Sequence, residues 1–336
     1  MPGYLGKKKN GAWYLGDVKI GQGYLGDTLV YQSAFNVTYV VDTGVEYTEK
    51  VKPKASMLSP TTFTPEKSGW TFAGWRSDTT ASGAVLTDAK ATGHTTLYAV
   101  FTQTVTVSYA GNGATSGSTN SQVGTRYYNN GNIENPSFTL RSSGFSKSYY
   151  NFTKWAMGSA SGTQYAAGAS VTLTANATFY ALWVSAYTAS TAKMTTGIHQ
   201  PEYNDGVVLF PSYGQAVSIS GTVLSWYNTS RQIKANAPCT VTVKGGMTFQ
   251  NVDAYSGYRC NIFLYKNGSQ VSTIYEATDK TSYSWGYGSG SAKTITLNAG
   301  DILDIRVQGG SSKNGASRTR FEVHSSYPIV FTGTPT

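Results

Sequence analysis

The side chains able to do chemistry are few and scattered. His94, His199 and His324 fall in three separate regions, and no cysteine or carboxylate pair stands near any of them at ligand spacing. The patterns H-E-x-x-H, G-x-S-x-G and C-x-x-C and the acidic calcium loop do not occur, so neither a metal nor a cofactor is expected. Asp301 and Asp304 are the one close carboxylate pair in the C-terminal region. Acid and base work on a glycosidic bond needs two carboxylates facing one cleft, whereas Asp301 follows Gly300 and reads as turn chemistry. The glycine-rich stretch 286–293 places its lysine wrongly for a phosphate cradle and is interrupted by Tyr287, so it reads as a mobile loop tip. No catalytic residue is assigned, and the expectation is a protein that is not an enzyme.

Binding chemistry is better supplied. The chain has 25 Tyr and 37 Gly, and Tyr255, Tyr258, Tyr265, Tyr275, Tyr283, Trp285 and Tyr287 fall in its last third, many of them among Gly and Ser. Tyrosine on such loops gives a large contact area at low entropic cost. Within 280–291 the order Lys-Thr-Ser-Tyr-Ser-Trp-Gly-Tyr-Gly-Ser-Gly-Ser makes Tyr283, Trp285 and Tyr287 the candidate ligand-binding residues, for a surface glycan or a protein. The competing reading packs the same aromatics against a neighbouring subunit.

The elements that must position these residues are strands. In 336 residues, 40% are hydrophobic and 13% charged, enough apolar material for two or three domains. The β-branched and aromatic residues stand between glycine-rich turns, and long Ala, Leu, Glu and Lys runs are missing. The fold class expected is therefore mainly β. The net charge of +9 is spread along the chain, with Lys7-Lys8-Lys9 as its only cluster and 36–103 neutral. A nucleic-acid surface would gather its cations on one stripe, so no nucleic-acid partner is expected. No apolar run approaches 18 residues and no charged-then-apolar leader opens the chain, so neither membrane insertion nor signal-directed secretion is expected. Two cysteines, Cys239 and Cys260, make no disulfide framework; one bridge between them and two free thiols are the alternatives.

At the N-terminus Tyr-Leu-Gly recurs every ten residues, at Tyr4-Leu5-Gly6, Tyr14-Leu15-Gly16 and Tyr24-Leu25-Gly26. Each unit offers two or three apolar side chains and a turn glycine, too little to bury a core alone. It must lie against the rest of the chain, sister copies or a larger body. The nine residues of these phrases are the candidate anchor in a segment spanning 1–34.

Beyond Tyr31 the pattern lengthens. Phe35-Asn36-Val37-Thr38-Tyr39-Val40-Val41 alternates as a half-buried strand. Trp70-Thr71-Phe72-Ala73-Gly74-Trp75 and Leu97-Tyr98-Ala99-Val100-Phe101 follow it. About eighty residues on, the scheme returns with Val105-Thr106-Val107-Ser108-Tyr109, Tyr150-Asn151-Phe152-Thr153-Lys154-Trp155 and Phe179-Tyr180-Ala181-Leu182-Trp183. Trp75, Trp155 and Trp183 are expected in the cores. These units resemble the internalin B-repeat family, also called Listeria-Bacteroides repeats. The resemblance implies two β-grasp-like modules, 35–103 and 104–184, of the kind used as spacers or adhesive units on bacterial and phage surfaces.

Residues 185–205 are polar and read as a linker. From 206 to 336, seven or eight short alternating strands separated by Gly, Asn and Ser turns describe a jelly-roll sandwich. Asn267-Gly268 is a hairpin signal, and Leu297-Asn298-Ala299-Gly300-Asp301-Ile302-Leu303 is a turn entering a strand. Their layout resembles the C1q and tumour-necrosis-factor type of jelly roll, which implies a homotrimer. The N-terminal phrase, with Leu29-Val30-Tyr31-Gln32 after it, is similar to the start of phage structural proteins. It implies a tail, baseplate or head fibre on the virion surface, made in the host cytoplasm. Such a fibre would attach to other virion proteins by its N-terminus and display its C-terminal domain to a bacterial surface glycan or protein. The alternatives are a capsid decoration protein without a receptor role and a bacterial cell-surface adhesin. The adhesin is disfavoured by the absent leader and by a C-terminus without a wall-sorting tail.

Overall fold

A computed structural model describes the backbone of five short strands within 8–32, then residues 34–199 continuously. Beyond that it describes 207–211, 213–228, 231–245, 247–251, 258–280, 286–287, 292–311, 319–323, 325 and 328–336. Every regular element among the described residues is a strand, as the composition requires. The chain divides into two units, Met1–Ser146 with Thr153–Leu182, and Lys147–Phe152 with Trp183–Thr336.

The N-terminal repeat forms hairpins. Lys8–Lys9, Ala12–Leu15 and Val18–Ile20 make a three-stranded sheet, and Gln22–Leu25 pairs with Thr28–Gln32. Leu15 pairs with Val18 and Leu25 with Thr28, so each full Tyr-Leu-Gly-Asp copy has its Gly-Asp between the two partners. Lys9 pairs with Ala12 around Asn10-Gly11, another short hairpin phrase.

The first repeat opens with Phe35–Asp42, which turns through Thr43-Gly44 into antiparallel Val45–Val51. Its other side pairs in parallel with the start of Thr95–Ala110, and Thr71–Arg76 lies beyond in antiparallel register. Parallel opening and closing strands are the β-grasp-like order. The connection between them contains no helix. The register of Thr71–Arg76 slips between Phe72 and Gly74. Gly74 has φ of 142°, and a Cβ there would stand 2.9 Å from Val85, so the slip requires glycine.

The closing strand then continues. Thr95–Ala110 runs sixteen residues without interruption. Its first half closes the first repeat, and its second half opens the next by pairing with Gln122–Asn129 and, in parallel, with Ala177–Ser185. The boundary expected at 103/104 therefore lies inside one strand, and both repeats share one nine-stranded sheet. The reason is phase. Leu97, Ala99, Phe101, Val105, Val107 and Tyr109 occupy odd positions throughout, and no Gly or Pro intervenes.

Gln122–Asn129, which belongs to the second repeat, reaches back along this strand as far as Val100. Tyr128 is 7% exposed and joins the first repeat's core with Phe35, Tyr39 and Trp75. Its hydroxyl donates to the Asp42 carboxylate, Lys67 Nζ stands 3.8 Å above its ring, and Trp70 tilts against it at 5.7 Å. Asn129, fully buried, donates Nδ2 to the carbonyls of Asp78 and Thr80 at 2.9 and 3.0 Å.

In the second unit, the chain crosses repeatedly between two sheets, singly or two strands at a time. The larger, eight-stranded, has the order Gly286–Tyr287, Thr248–Asn251, Thr319–Val323, Ser190–His199, Ile329–Pro335, Cys239–Lys244 and Lys293–Leu297, with Tyr213–Ser220 also on Ser190–His199. The six-stranded sheet runs Leu224–Tyr227, Gln232–Ala235, Ile302–Ser311, Tyr258–Lys266 and Ser269–Lys280, with Val208–Leu209 on Ile302–Ser311. One apolar core lies between them, built from residues such as Met194, Val241, Phe321 and Phe331 opposite Ile233, Leu264, Leu303 and Val307. This is a jelly-roll sandwich. The segment expected as a linker over 185–205 is corrected here: Ser190–His199 is an interior strand paired with three others. Its Ser, Thr and Lys disguise an alternation in which Ala192 and Met194 are buried.

Tyr128→Ala is expected to destabilise the repeat pair by about 3 kcal/mol, the scale of aromatic truncation in a core. Urea unfolding followed by tryptophan fluorescence measures it, and Tyr128→Phe should lose only the share of the Asp42 hydrogen bond.

Candidate functional site

The two repeats use one construction for their tryptophans. In the first, Tyr39 tilts against Trp75 at 5.0 Å, and Trp75 Nε1 donates to the Leu58 carbonyl at 3.0 Å. In the second, Tyr109 tilts against Trp155 at 4.7 Å, and Trp155 Nε1 donates to the Arg141 carbonyl at 2.8 Å. Both indoles are buried with their N–H satisfied, which is core packing. Burial pushes the Tyr39 hydroxyl up to about 12, with the Glu49 charge adding to it. Trp183 differs: it is half-buried, its ring 6.1 Å from Phe152.

The residues screened for chemistry are committed elsewhere. His94 Nδ1 accepts the Asn36 N–H at 3.0 Å and its ring meets Phe35 edge-on. The side chain of His199 and all of His324 lie outside the described residues. Asp304 is 1% exposed and accepts from Gln232 Nε2 and Arg306 Nε, each at 2.9 Å. Asp301 ties two turns together. It accepts from Lys266 Nζ at 2.8 Å, Asn267 Nδ2 at 2.7 Å and the Asn298 N–H at 2.7 Å. Asn267 and Gly268 both have positive φ, 51° and 82°, as the Asn-Gly hairpin expectation requires. Cys239 is a buried free thiol, so it forms no bridge with Cys260. Burial pushes its pKa up, and the nearby Asp301 charge adds to this, which leaves it unreactive.

Of the candidate ligand-binding residues, Tyr283 and Trp285 lie outside the described residues, as does the side chain of Tyr287. The backbone of Gly286–Tyr287 is a two-residue strand at one end of the eight-stranded sheet, with Tyr287 paired to Thr248 and Thr248 to Glu322. The stretch 286–293, expected as a mobile tip, is therefore paired into the sheet at Gly286–Tyr287 and again at Lys293. Of the anchor residues, Tyr14, Leu15, Tyr24 and Leu25 are placed as strand backbone; Tyr4, Leu5, Gly6, Gly16 and Gly26 lie outside the described residues.

What sequence reasoning missed is the junction between the repeats. Besides Tyr128 and Asn129, Arg126 stands 5.1 Å over Trp70, Asn132 Nδ2 donates to the Thr79 carbonyl at 2.9 Å, and Ser82 bonds Glu134. The clamped loop is also braced internally. Arg76 donates Nε and Nη2 to Asp78 at 3.2 Å each, and Nη1 to the Ser82 carbonyl at 2.7 Å. The Arg76 hydrogen bonds, with those from Thr80, bring Asp78 down to about 2. The readable signal was the odd-position phase kept from Leu97 to Tyr109, with Gln103 its one polar member.

Residues 35–100 and 106–182 match the family described as the Listeria-Bacteroides repeat domain. The middle of the chain thus carries two such repeats, which together cover less than half of it. Among solved structures the chain is similar to that described as "Structure of infectious bursal disease virus Gx strain". The identity is 11%, the match covers 70% of this chain and 76% of that one, and the TM-score is 0.21, too low to carry an argument. No curated protein matches the chain in sequence.

Partial burial pushes the Asp301 carboxyl up, but hydrogen bonds from Lys266, Asn267 and Asn298 outweigh it and hold the group below its ordinary 3.8. A carboxyl lowered in the folded state contributes stability that is present above the unfolded value and is lost as pH falls through the folded one. Urea midpoints measured from pH 6 downward should therefore fall below about pH 4, near the unfolded carboxyl value. Asp301→Asn should start lower at pH 6 and show a smaller fall.

Proposed function

We propose that this chain is a structural protein of a phage virion surface, with a docking N-terminus, a stiff spacer and a displayed C-terminal head. The observation that carries the reading is the single strand Thr95–Ala110, which joins the two repeats without a linker. A spacer must hold what it carries at a fixed reach, and a continuous hydrogen-bonded strand braced by Tyr128 gives that stiffness where a Gly/Ser connection would not. Repeats of this type on surface proteins and a jelly-roll head agree with the layout. The N-terminal hairpins supply strand edges, and each repeat unit offers only two or three apolar residues, which suits a segment completed by a larger body.

The head is a homotrimer on this reading, and the loop bearing Tyr283, Trp285 and Tyr287 meets a glycan or protein of the bacterial surface. Its attachment to the sheet at Gly286–Tyr287 supports that role, because a recognition loop held on a rigid element loses less freedom on binding.

Deleting residues 1–33 is expected to leave a protein that still sediments in multiples of three copies but is absent from purified particles. A monomer, or truncated protein found on the particle, contradicts the trimer or the anchor respectively. Replacing Tyr283, Trp285 and Tyr287 together by Ala should abolish adsorption of the purified protein to host cells with the oligomer intact. Undiminished adsorption removes the loop from recognition.

A further inference from the structure

The strand Val45–Val51 is a rim of the nine-stranded sheet. It pairs with Phe35–Asp42 on one side, and among the described residues no strand pairs with its other side. It is seven residues long, contains neither Gly nor Pro, and is exposed from Val45 through Thr48 and again at Lys50. Val45 and Tyr47 are 41% and 42% exposed. A rim of this kind is a template for another strand.

The rim is also held in shape. Tyr47 stacks on Phe63 with ring centroids 4.1 Å apart and planes 11° from parallel. Glu49 accepts the N–H groups of Thr61 and Thr62 at 2.8 and 2.6 Å and both of their hydroxyls. Little ordering is left to do on pairing.

Charges on an edge ordinarily keep other strands away. Glu46 and Lys50 do the opposite, because of their signs and spacing. They lie two residues to either side of Thr48 and on its face of the strand. Among the described residues neither has an ion-pair partner. When a second copy is turned about a two-fold axis through Thr48, Lys50 falls opposite Glu46 at both symmetric positions. Val45 then falls opposite Val51, and Tyr47 opposite Glu49. A foreign strand would need this order by coincidence, whereas a copy carries it by construction.

We propose that Val45–Val51 pairs antiparallel with the same strand of a second copy, centred on Thr48, so that two nine-stranded sheets join across a two-fold axis. The contact is separate from assembly through the C-terminal sandwich. It does not depend on the virion reading.

Mild oxidation of full-length Thr48→Cys is expected to join two copies through position 48, identified by the mass of the linked peptide. Thr64→Cys, exposed and off the strand, should not do so. E46K places like charges at both symmetric contacts and should weaken the self-association seen in sedimentation at rising concentration about tenfold. E46K/K50E restores opposite signs and should restore association. All of these positions are exposed, and unchanged circular dichroism checks the fold. The proposal is overturned by equal linkage at 48 and 64, by unaltered association of E46K, or by a double exchange that fails to restore it.

Discussion

Hydrogen bonding along both sides of Thr95–Ala110 is the constraint on which the repeat region rests. Four strands use this backbone: Phe35–Asp42 and then Gln122–Asn129 along one side, Thr71–Arg76 and then Ala177–Ser185 along the other. A buried backbone group left unpaired costs about as much as a lost hydrogen bond, so neither repeat can detach from this strand cheaply. The fixed register in turn sets Tyr128 opposite Phe101 and delivers it to a core belonging to the other repeat. Two sequence repeats have become one mechanical piece.

The second unit achieves order differently. Its strands come from both ends of the segment and meet in the larger sheet, where Ser190–His199 and Ile329–Pro335 pair antiparallel. The core between the two sheets is apolar, and the polar interactions sit at turns and on outer faces. Asp301 joins the Asn267-Gly268 hairpin to the turn at 298–301, and Asp304 is fully occupied on the strand that follows. Asp301 holds turns, as its place after Gly300 suggested, and Asp304 braces a strand.

Much of this was legible. The repeat signature predicted both tryptophan cores because one large aromatic per module has few other places to go, and Asn267-Gly268 predicted its hairpin because both residues tolerate positive φ. The polar segment 185–205 resembles a linker in sequence because Ser, Thr and Lys mark loops as often as they mark the solvent face of a strand. Only pairing with three neighbours distinguishes the two. Trp183, expected in a core like its counterparts, is half-buried.

By itself the sequence determined the fold class, the number of repeats and the residues at their centres. Alternation, turn residues and aromatic spacing are local properties that act on the chain wherever it goes. Tertiary structure alone decided that the repeats share a strand, that Tyr128 serves the neighbouring core and that, among the described residues, Val45–Val51 ends the sheet with one side unpaired. Each depends on which strands meet. Strand pairing is a choice among distant segments, made by hydrogen bonds that every backbone can offer, and the alternation that marks a strand does not name its partner.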